Sequence, residues 1–236
     1  MAVRKEYDEE LQKIYGNVRL MGMEIIQALD TMIYAFPRLD VNSANRIIAN
    51  DVKIDQMESE IEEACIAIVV KQQPVASDWR RLASYMRMIS DMERMSDNCS
   101  DISLFIKKLA DMPRVPIPEE FQEMAETMRD MVTRTIHSFL TSDVELAEMT
   151  IEKDDIVDRD CDIIMAKIAE LIKKEPDKVE QYLYYFLAAK YMERIADHAA
   201  SIAAWIKFIV NGKFGMKYTD RYRNEAEKIK AETKEK

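Results

Sequence analysis

The chain has 236 residues and a formal net charge of −10, from 44 acidic and 34 basic side chains. This acidic balance opposes nucleic-acid binding, which uses a basic face. Hydrophobic residues make up 48% of the chain, whereas it holds only 4 Gly and 6 Pro. Because glycine and proline punctuate strands and hairpins, the composition favours an all-α fold with a sizeable core.

Cysteine usage and apolar runs indicate the compartment. Cys65, Cys99 and Cys161 are scattered and form no CxxC pair, which is typical of free thiols in a reducing compartment. The first eight residues contain no apolar signal region, and no run approaches the ~18 to 20 apolar residues of a membrane span. We therefore expect a soluble, cytoplasmic protein without direct membrane insertion.

Apolar residues recur three and four positions apart along most of the chain, which predicts helices. The pattern gives six of them, over residues 11–36, 44–73, 77–109, 119–140, 143–174 and 177–210. Asp40 and Asp143 are predicted N-caps of the second and fifth helices, and Ser77-Asp78 and Asp177 of the third and sixth. Asn211-Gly212 is predicted to end the last helix.

A proline-rich stretch divides the chain near its middle. Residues 113–118 contain three prolines, which predicts an extended connector. We expect a first unit over residues 1–112, a second over 119–212 and a charged tail over 213–236. The tail is interpreted as a frayed helix or a mobile arm.

The two units match each other in sequence. With a shift of 103 residues, Asp51 aligns with Asp154 and Asp55 with Asp158. The third helices align at a shift of 100, where Met92-Glu93-Arg94 meets Met192-Glu193-Arg194 and Asp97 meets Asp197. Identical polar residues in unbroken register indicate a duplication. The fold predicted is two tandem three-helix bundles, with six long antiparallel helices related by a pseudo-twofold axis.

Paired carboxylates on the third helices are the first candidate site. Glu93 and Asp97 stand four residues apart, as do Glu193 and Asp197, and Asp101 extends the first stripe by one turn. A spacing of four places both groups on one helical face, where like charges repel unless a cation lies between them. The alternative is a polar stripe balanced by the arginine that follows each glutamate.

The second helices carry a parallel stripe, formed by Asp51 and Asp55 in one unit and by Asp154 and Asp158 in the other. Since neighbouring helices of a bundle can face such stripes towards each other, we hypothesise a carboxylate cluster in each unit. Oxygen ligands suit hard cations such as Mg²⁺, Mn²⁺, Ca²⁺ or iron. The alternative is that these aspartates form an ordinary solvated surface.

Catalytic signatures are missing from the sequence. It has no glycine loop for phosphates and no GxSxG elbow. The di-iron bundle oxidases need Glu-x-x-His, and neither Glu93 nor Glu193 is followed by such a histidine. The only histidines are His137 and His198, so a histidine-rich zinc site is not expected. We predict that the protein is not an enzyme.

The segment from Met192 to Ala203 resembles the third-helix signature of PhoU proteins, Glu-Arg-Ile-Gly-Asp-His-Ala followed by Asn-Ile-Ala, and Met92 to Asp97 resembles its first-copy counterpart. The likeness covers about residues 7–212. Ser96 and Ala196 replace the usual glycine, and Ser201 stands where the family often has asparagine. The charged tail falls outside the likeness.

The resemblance implies a cytoplasmic negative regulator of phosphate uptake, without catalysis. It implies a homodimer that binds iron, zinc, manganese or magnesium and acts with a phosphate ABC transporter, especially its ATPase, and with a sensor histidine kinase. Glu93, Asp97, Glu193 and Asp197 would be ligands, and the facing-stripe argument adds Asp101 and the second-helix aspartates. Two alternatives remain open: a metal-independent helical scaffold, and an enzyme using a carboxylate-bound metal.

Overall fold

The computed structural model describes residues 2–212, and within them it is built from six long helices and one short 3₁₀ turn. The tail over 213–236 therefore lies outside the described residues. No helix in the described part combines the length and apolarity needed to cross a bilayer. The six helices are α1 (Ala2–Ala35), α2 (Val41–Gln72), α3 (Ala76–Ala110), α4 (Glu120–Thr141), α5 (Val144–Lys174) and α6 (Val179–Asn211), with the 3₁₀ turn at Pro176–Lys178.

Side-chain caps start α2 and α5, as predicted. An oxygen of Asp40 accepts hydrogen bonds from the backbone N–H groups of Asn42 and Ser43, at 3.0 and 3.3 Å. These bonds, with that of the Ser43 hydroxyl, lower the pKa of Asp40. Asp143 accepts from the backbone N–H of Leu146 at 3.0 Å. Both caps satisfy amide groups that the first turn of a helix leaves unpaired.

The predicted caps of α3 and α6 are wrong. The N-cap positions are Val75 and Lys178, and neither makes a side-chain capping bond. Asp78 lies inside the first turn of α3, where a negative charge interacts favourably with the helix dipole. Asp177 is held in the 3₁₀ turn that Pro176 begins. The predicted end of α6 is confirmed, since Gly212 is left-handed at φ 70°.

The two sets of three helices share one hydrophobic core, because aromatic side chains cross between them. Phe36 of α1 contacts Tyr185 of α6, with ring centroids 5.9 Å apart. The equivalent pair in the duplicated sequence, Phe139 of α4 and Tyr85 of α3, has centroids 5.7 Å apart. Each set thus places a phenylalanine on the tyrosine of the other, as a pseudo-twofold axis requires.

The third helices α3 and α6 lie against each other in antiparallel fashion. Phe105, near the end of α3, contacts Tyr184 and Tyr191 with centroid distances of 5.6 Å each. Asp91, further towards the start of α3, contacts His198 and Ser201 further along α6. The six-helix, all-α prediction is confirmed, and the residue boundaries of the two units stay a prediction.

A close approach between α1 and α4 depends on Gly22. A Cβ atom at this buried position would lie 2.7 Å from Cδ1 and 3.2 Å from Cγ2 of Ile136. The second atom is fixed close to the backbone, so rotation of the isoleucine tip cannot remove the overlap. Gly16, on the same helix, has no neighbouring atom within 4 Å of such a Cβ.

We expect Gly22→Val to lower the free energy of unfolding by about 1–3 kcal/mol, because it overpacks this contact. Gly16→Ala is the matched control. It is expected to raise stability by up to about 1 kcal/mol, because alanine is the better helix former. Urea unfolding followed by circular dichroism measures both, and a neutral Gly22→Val would contradict the close approach.

Candidate metal centres

A first group of carboxylates lies between α2 and α3. Asp51, Asp55 and Asp97 each offer one oxygen, and these three oxygens lie within 4.8 Å of one another. Asp51 is half-buried and the other two are exposed. The spacing of four along α2 brings its two aspartates to one face, and α3 supplies the third. The hydroxyl of Ser96 donates a hydrogen bond to Asp51.

The second group repeats this arrangement between α5 and α6. Asp154, Asp158 and Asp197 also offer three oxygens within 4.8 Å of one another, and all three residues are half-buried. The members correspond one by one to those of the first group in the duplicated sequence. We call the two groups the α2/α3 cluster and the α5/α6 cluster. The structure thus brings together six of the nine predicted ligands as two sets of three.

The clusters concentrate negative charge at partly dehydrated positions. Burial, and then the charges of Asp51, Asp55 and Asp101, raise the pKa of Asp97. In the α5/α6 cluster, burial and the neighbouring Glu193 and Asp158 raise the pKa of Asp197 to about 6. Both shifts have the same cause, since a carboxylate is costly to ionise beside other carboxylates and away from water.

Glu93 lies beside the α2/α3 cluster rather than within the group of three. Burial, followed by the charges of Asp97, Glu58 and Asp55, raises its pKa to about 7, against the smaller opposing effect of Arg94. Glu58 is an acidic neighbour that the sequence reasoning missed. The signal was present, because Glu58 is three residues after Asp55 and therefore shares its helical face.

Glu193 and Asp101, the other predicted ligands outside the groups of three, have different partners. Glu193 forms an ion pair with Lys190 on the preceding turn of α6. Asp101 interacts with Tyr191 across the α3–α6 contact and, after burial, is the main cause of the raised pKa of that phenol. Both carboxylates would have to exchange these contacts to reach a metal.

The seam between α3 and α6 also holds His198, whose role the sequence left between a cluster edge and a packing position. Its Nδ1 atom lies 2.9 Å from an oxygen of Asp91. The Ser201 hydroxyl donates to the other oxygen of Asp91 at 2.7 Å. His198 therefore binds across the seam, and Ser201, the departure from the family asparagine, has a structural partner.

The donor set fits a hard cation. Each cluster presents three carboxylate oxygens from two helices, and such oxygens are the ligands that Mg²⁺, Mn²⁺ and iron accept. A cation among them would offset the mutual repulsion that raises the pKa values of Asp97 and Asp197. Zinc more commonly takes histidine or cysteine ligands, and neither group of three contains one.

The fold and the two clusters define a class: a duplicated three-helix protein with one acidic cluster in each copy. A family model described as the PhoU domain matches this chain twice, over residues 18–106 and 121–206. The chain therefore belongs to the PhoU family.

Similar proteins carry the same family name. A protein of Clostridium acetobutylicum called phosphate-specific transport system accessory protein PhoU homolog is 26% identical over 211 residues, which are 89% of this chain and 96% of that protein. The crystal structure of PhoU from Pseudomonas aeruginosa superposes with a TM-score of 0.85 at 25% identity, covering 88% of this chain and all of that one. The phosphate transport system regulatory protein PhoU from Streptococcus pneumoniae has the same fold, with a TM-score of 0.81 at 24% identity, over 89% of this chain and 99% of that one. These are accessory and regulatory proteins, and this chain, a member of their family, is not an enzyme.

The raised pKa of Glu93 predicts a pH effect on the metal-free protein. The pKa is about 7 in the folded state, against 4.5 for an ordinary glutamate. The folded state therefore binds the proton more tightly, and this contribution to stability is present below pH 4.5 and is lost as the pH rises to about 7. Glu93→Gln should flatten the stability profile of chelator-treated protein over this window, as measured by urea unfolding.

Glu60→Gln is the control for this experiment, because Glu60 is an exposed carboxylate on the neighbouring helix α2. It should leave the profile of the parent protein unchanged. Parallel profiles for Glu93→Gln and the parent would show that Glu93 titrates as an ordinary surface carboxylate.

Proposed function

We propose that this protein regulates phosphate uptake, holding metal ions at its two clusters and acting through contacts with other proteins. The observation that carries the proposal is the repetition of the cluster, with matching aspartates on matching helices in both copies. A solvated acidic surface has no reason to keep three carboxylate oxygens within 4.8 Å of one another twice.

The six clustered aspartates are the proposed core ligands. Glu93 and Glu193 would complete each site from the turn before Asp97 and Asp197, since a spacing of four keeps them on the same face. Asp101 is the most remote of the proposed ligands, because Tyr191 engages it. The ions proposed are magnesium, manganese, iron or zinc, with the first three favoured by an all-oxygen donor set.

The proposed partners are components of a phosphate ABC transporter, especially its ATPase, and a sensor histidine kinase. The Clostridium relative is named as an accessory protein of a phosphate-specific transport system, which supports the transporter as the first partner. We propose a cytoplasmic homodimer that lowers uptake when phosphate is plentiful. Metal at the clusters would neutralise their carboxylates and so change the charge of the surface that a partner meets.

The first test is metal content, measured by plasma mass spectrometry on untagged protein. Asp55→Asn/Asp97→Asn is expected to remove the metal of the α2/α3 cluster, and Asp158→Asn/Asp197→Asn that of the α5/α6 cluster, because each change removes two anionic ligands from different helices. The four substitutions together should abolish bound metal.

The matched control is Glu60→Gln/Glu63→Gln, which removes the same number of charges from exposed positions of α2 and should retain the metal of the parent. If the parent binds none after incubation with iron, manganese, zinc and magnesium salts, the clusters are solvated surface. The family's fold and a metal-independent scaffold role would then remain.

The second test is phosphate uptake in cells whose own gene is replaced. The variant with all four cluster substitutions is expected to keep uptake high in phosphate-rich medium, whereas the parent and the Glu60→Gln/Glu63→Gln control reduce it. Labelled phosphate measures the initial rate. Normal control by a metal-free variant would assign regulation to a scaffold that needs no metal.

A further inference from the structure

Large apolar side chains are exposed around the turn that joins α2 to α3. Val70 at the end of α2 is 74% exposed, Val75 in the turn 70%, and Trp79 in the first turns of α3 46%. The backbone N–H of Trp79 donates to the carbonyl of Val75 at 2.9 Å, so these two residues lie on adjacent turns. Such a group of exposed apolar side chains indicates a contact surface.

The described chain ends beside this surface. A Cβ atom at Gly212 would lie 2.6 Å from Nη1 of Arg80. The Arg80 guanidinium also lies over the ring of Phe208 in the last turn of α6, 5.6 Å from its centroid. Because Arg80 directly follows Trp79, the segment that continues after Gly212 starts next to the exposed tryptophan.

The sequence after Gly212 has the composition that this surface and its surroundings call for. Residues 213–223 include Phe214, Met216, Tyr218 and Tyr222, together with four basic side chains and one acidic one. The segment is thus apolar and cationic, in a protein whose net charge is −10. The PhoU domain match ends at residue 206, so the family fold does not account for it.

One face of α3 connects the apolar surface with the acidic one. Trp79, Met86 and Glu93 stand seven residues apart, so they follow nearly one line along the helix. The fourteen residues from Trp79 to Glu93 correspond to about 21 Å of helix. Eight residues of extended chain span about 26 Å, so Arg221 can reach Glu93 from Gly212.

We propose that residues 213–223 fold back along this face of α3 in the same molecule. Phe214 and Tyr218 cover Val75 and Trp79, and Arg221 and Arg223 lie against the carboxylates of Glu93 and its acidic neighbour Glu58. The segment then covers one side of the α2/α3 cluster and leaves the α5/α6 cluster open. It gives two nearly equivalent sites different access to ions and partners, and it does so whether or not metal binds.

Fluorescence of Trp79 tests the contact in the full-length protein. The chain has two tryptophans, and Trp205→Phe leaves Trp79 as the only one. In this background we expect Phe214→Ser/Tyr218→Ser to shift the emission maximum to longer wavelength and to increase quenching by acrylamide, because the indole loses its cover. Ile229→Ser, an apolar residue beyond the proposed contact, is the control and should leave both measurements unchanged.

The basic residues are tested by Arg221→Glu/Arg223→Glu, which should also expose Trp79 to acrylamide. Lys234→Glu/Lys236→Glu makes the same change of charge further along the segment and should not. Circular dichroism verifies that every variant keeps its helices, as expected for substitutions outside residues 2–212.

Protection of Trp79 that is lost with the aromatic or arginine pair, and is independent of protein concentration, supports the proposal. Equal quenching in the parent and in both variants would overturn it. Protection that rises with concentration, together with a heavier species in sedimentation velocity, would assign the surface to a second copy and also overturn it. Since the readout does not involve metal, either failure leaves the proposed function untouched.

Discussion

The antiparallel contact between α3 and α6 is the interaction on which the rest of the structure depends. It joins the two copies into one core, with Phe36 on Tyr185 and Phe139 on Tyr85 across the pseudo-twofold axis. Since each aromatic ring packs on a helix of the other copy, separating the copies would expose both rings to water at once. The pseudo-twofold is therefore a property of the packing as well as of the sequence.

This contact also positions the clusters. With one side of α3 and of α6 occupied by the other copy, α2 and α5 pack against other sides of these helices, and the carboxylates collect where the helices meet. The polar residues of the seam itself are engaged elsewhere: Asp91 holds His198 and Ser201, and Asp101 interacts with Tyr191. The seam is thus satisfied internally, whereas the clusters are left with an excess of negative charge.

That excess is what gives the clusters chemical meaning. Carboxylates held within a few ångströms repel each other, and partial burial strengthens the repulsion, which raises the pKa of Asp97, Asp197 and Glu93. Protons and metal cations can both relieve it, so they compete for the same groups. The two clusters are not identical, because Ser96 binds Asp51 in one copy whereas Ala196 has no hydroxyl to offer in the other. The proposed fold-back of residues 213–223 would add a further difference.

The sequence by itself determined the six helices, the duplication and the aspartate stripes, because helical periodicity and register are local properties that a chain displays openly. It also determined the caps at Asp40 and Asp143, but not the starts of α3 and α6, where backbone geometry around Val75 and Pro176 prevailed over the nearby polar side chains. Only the tertiary structure decided which carboxylates meet. Glu58 approaches Glu93, Glu193 turns to Lys190, and Asp101 turns to Tyr191, because these choices depend on the rotation of each helix about its axis and on the residues of the facing helix. Spacing along one helix does not contain that information.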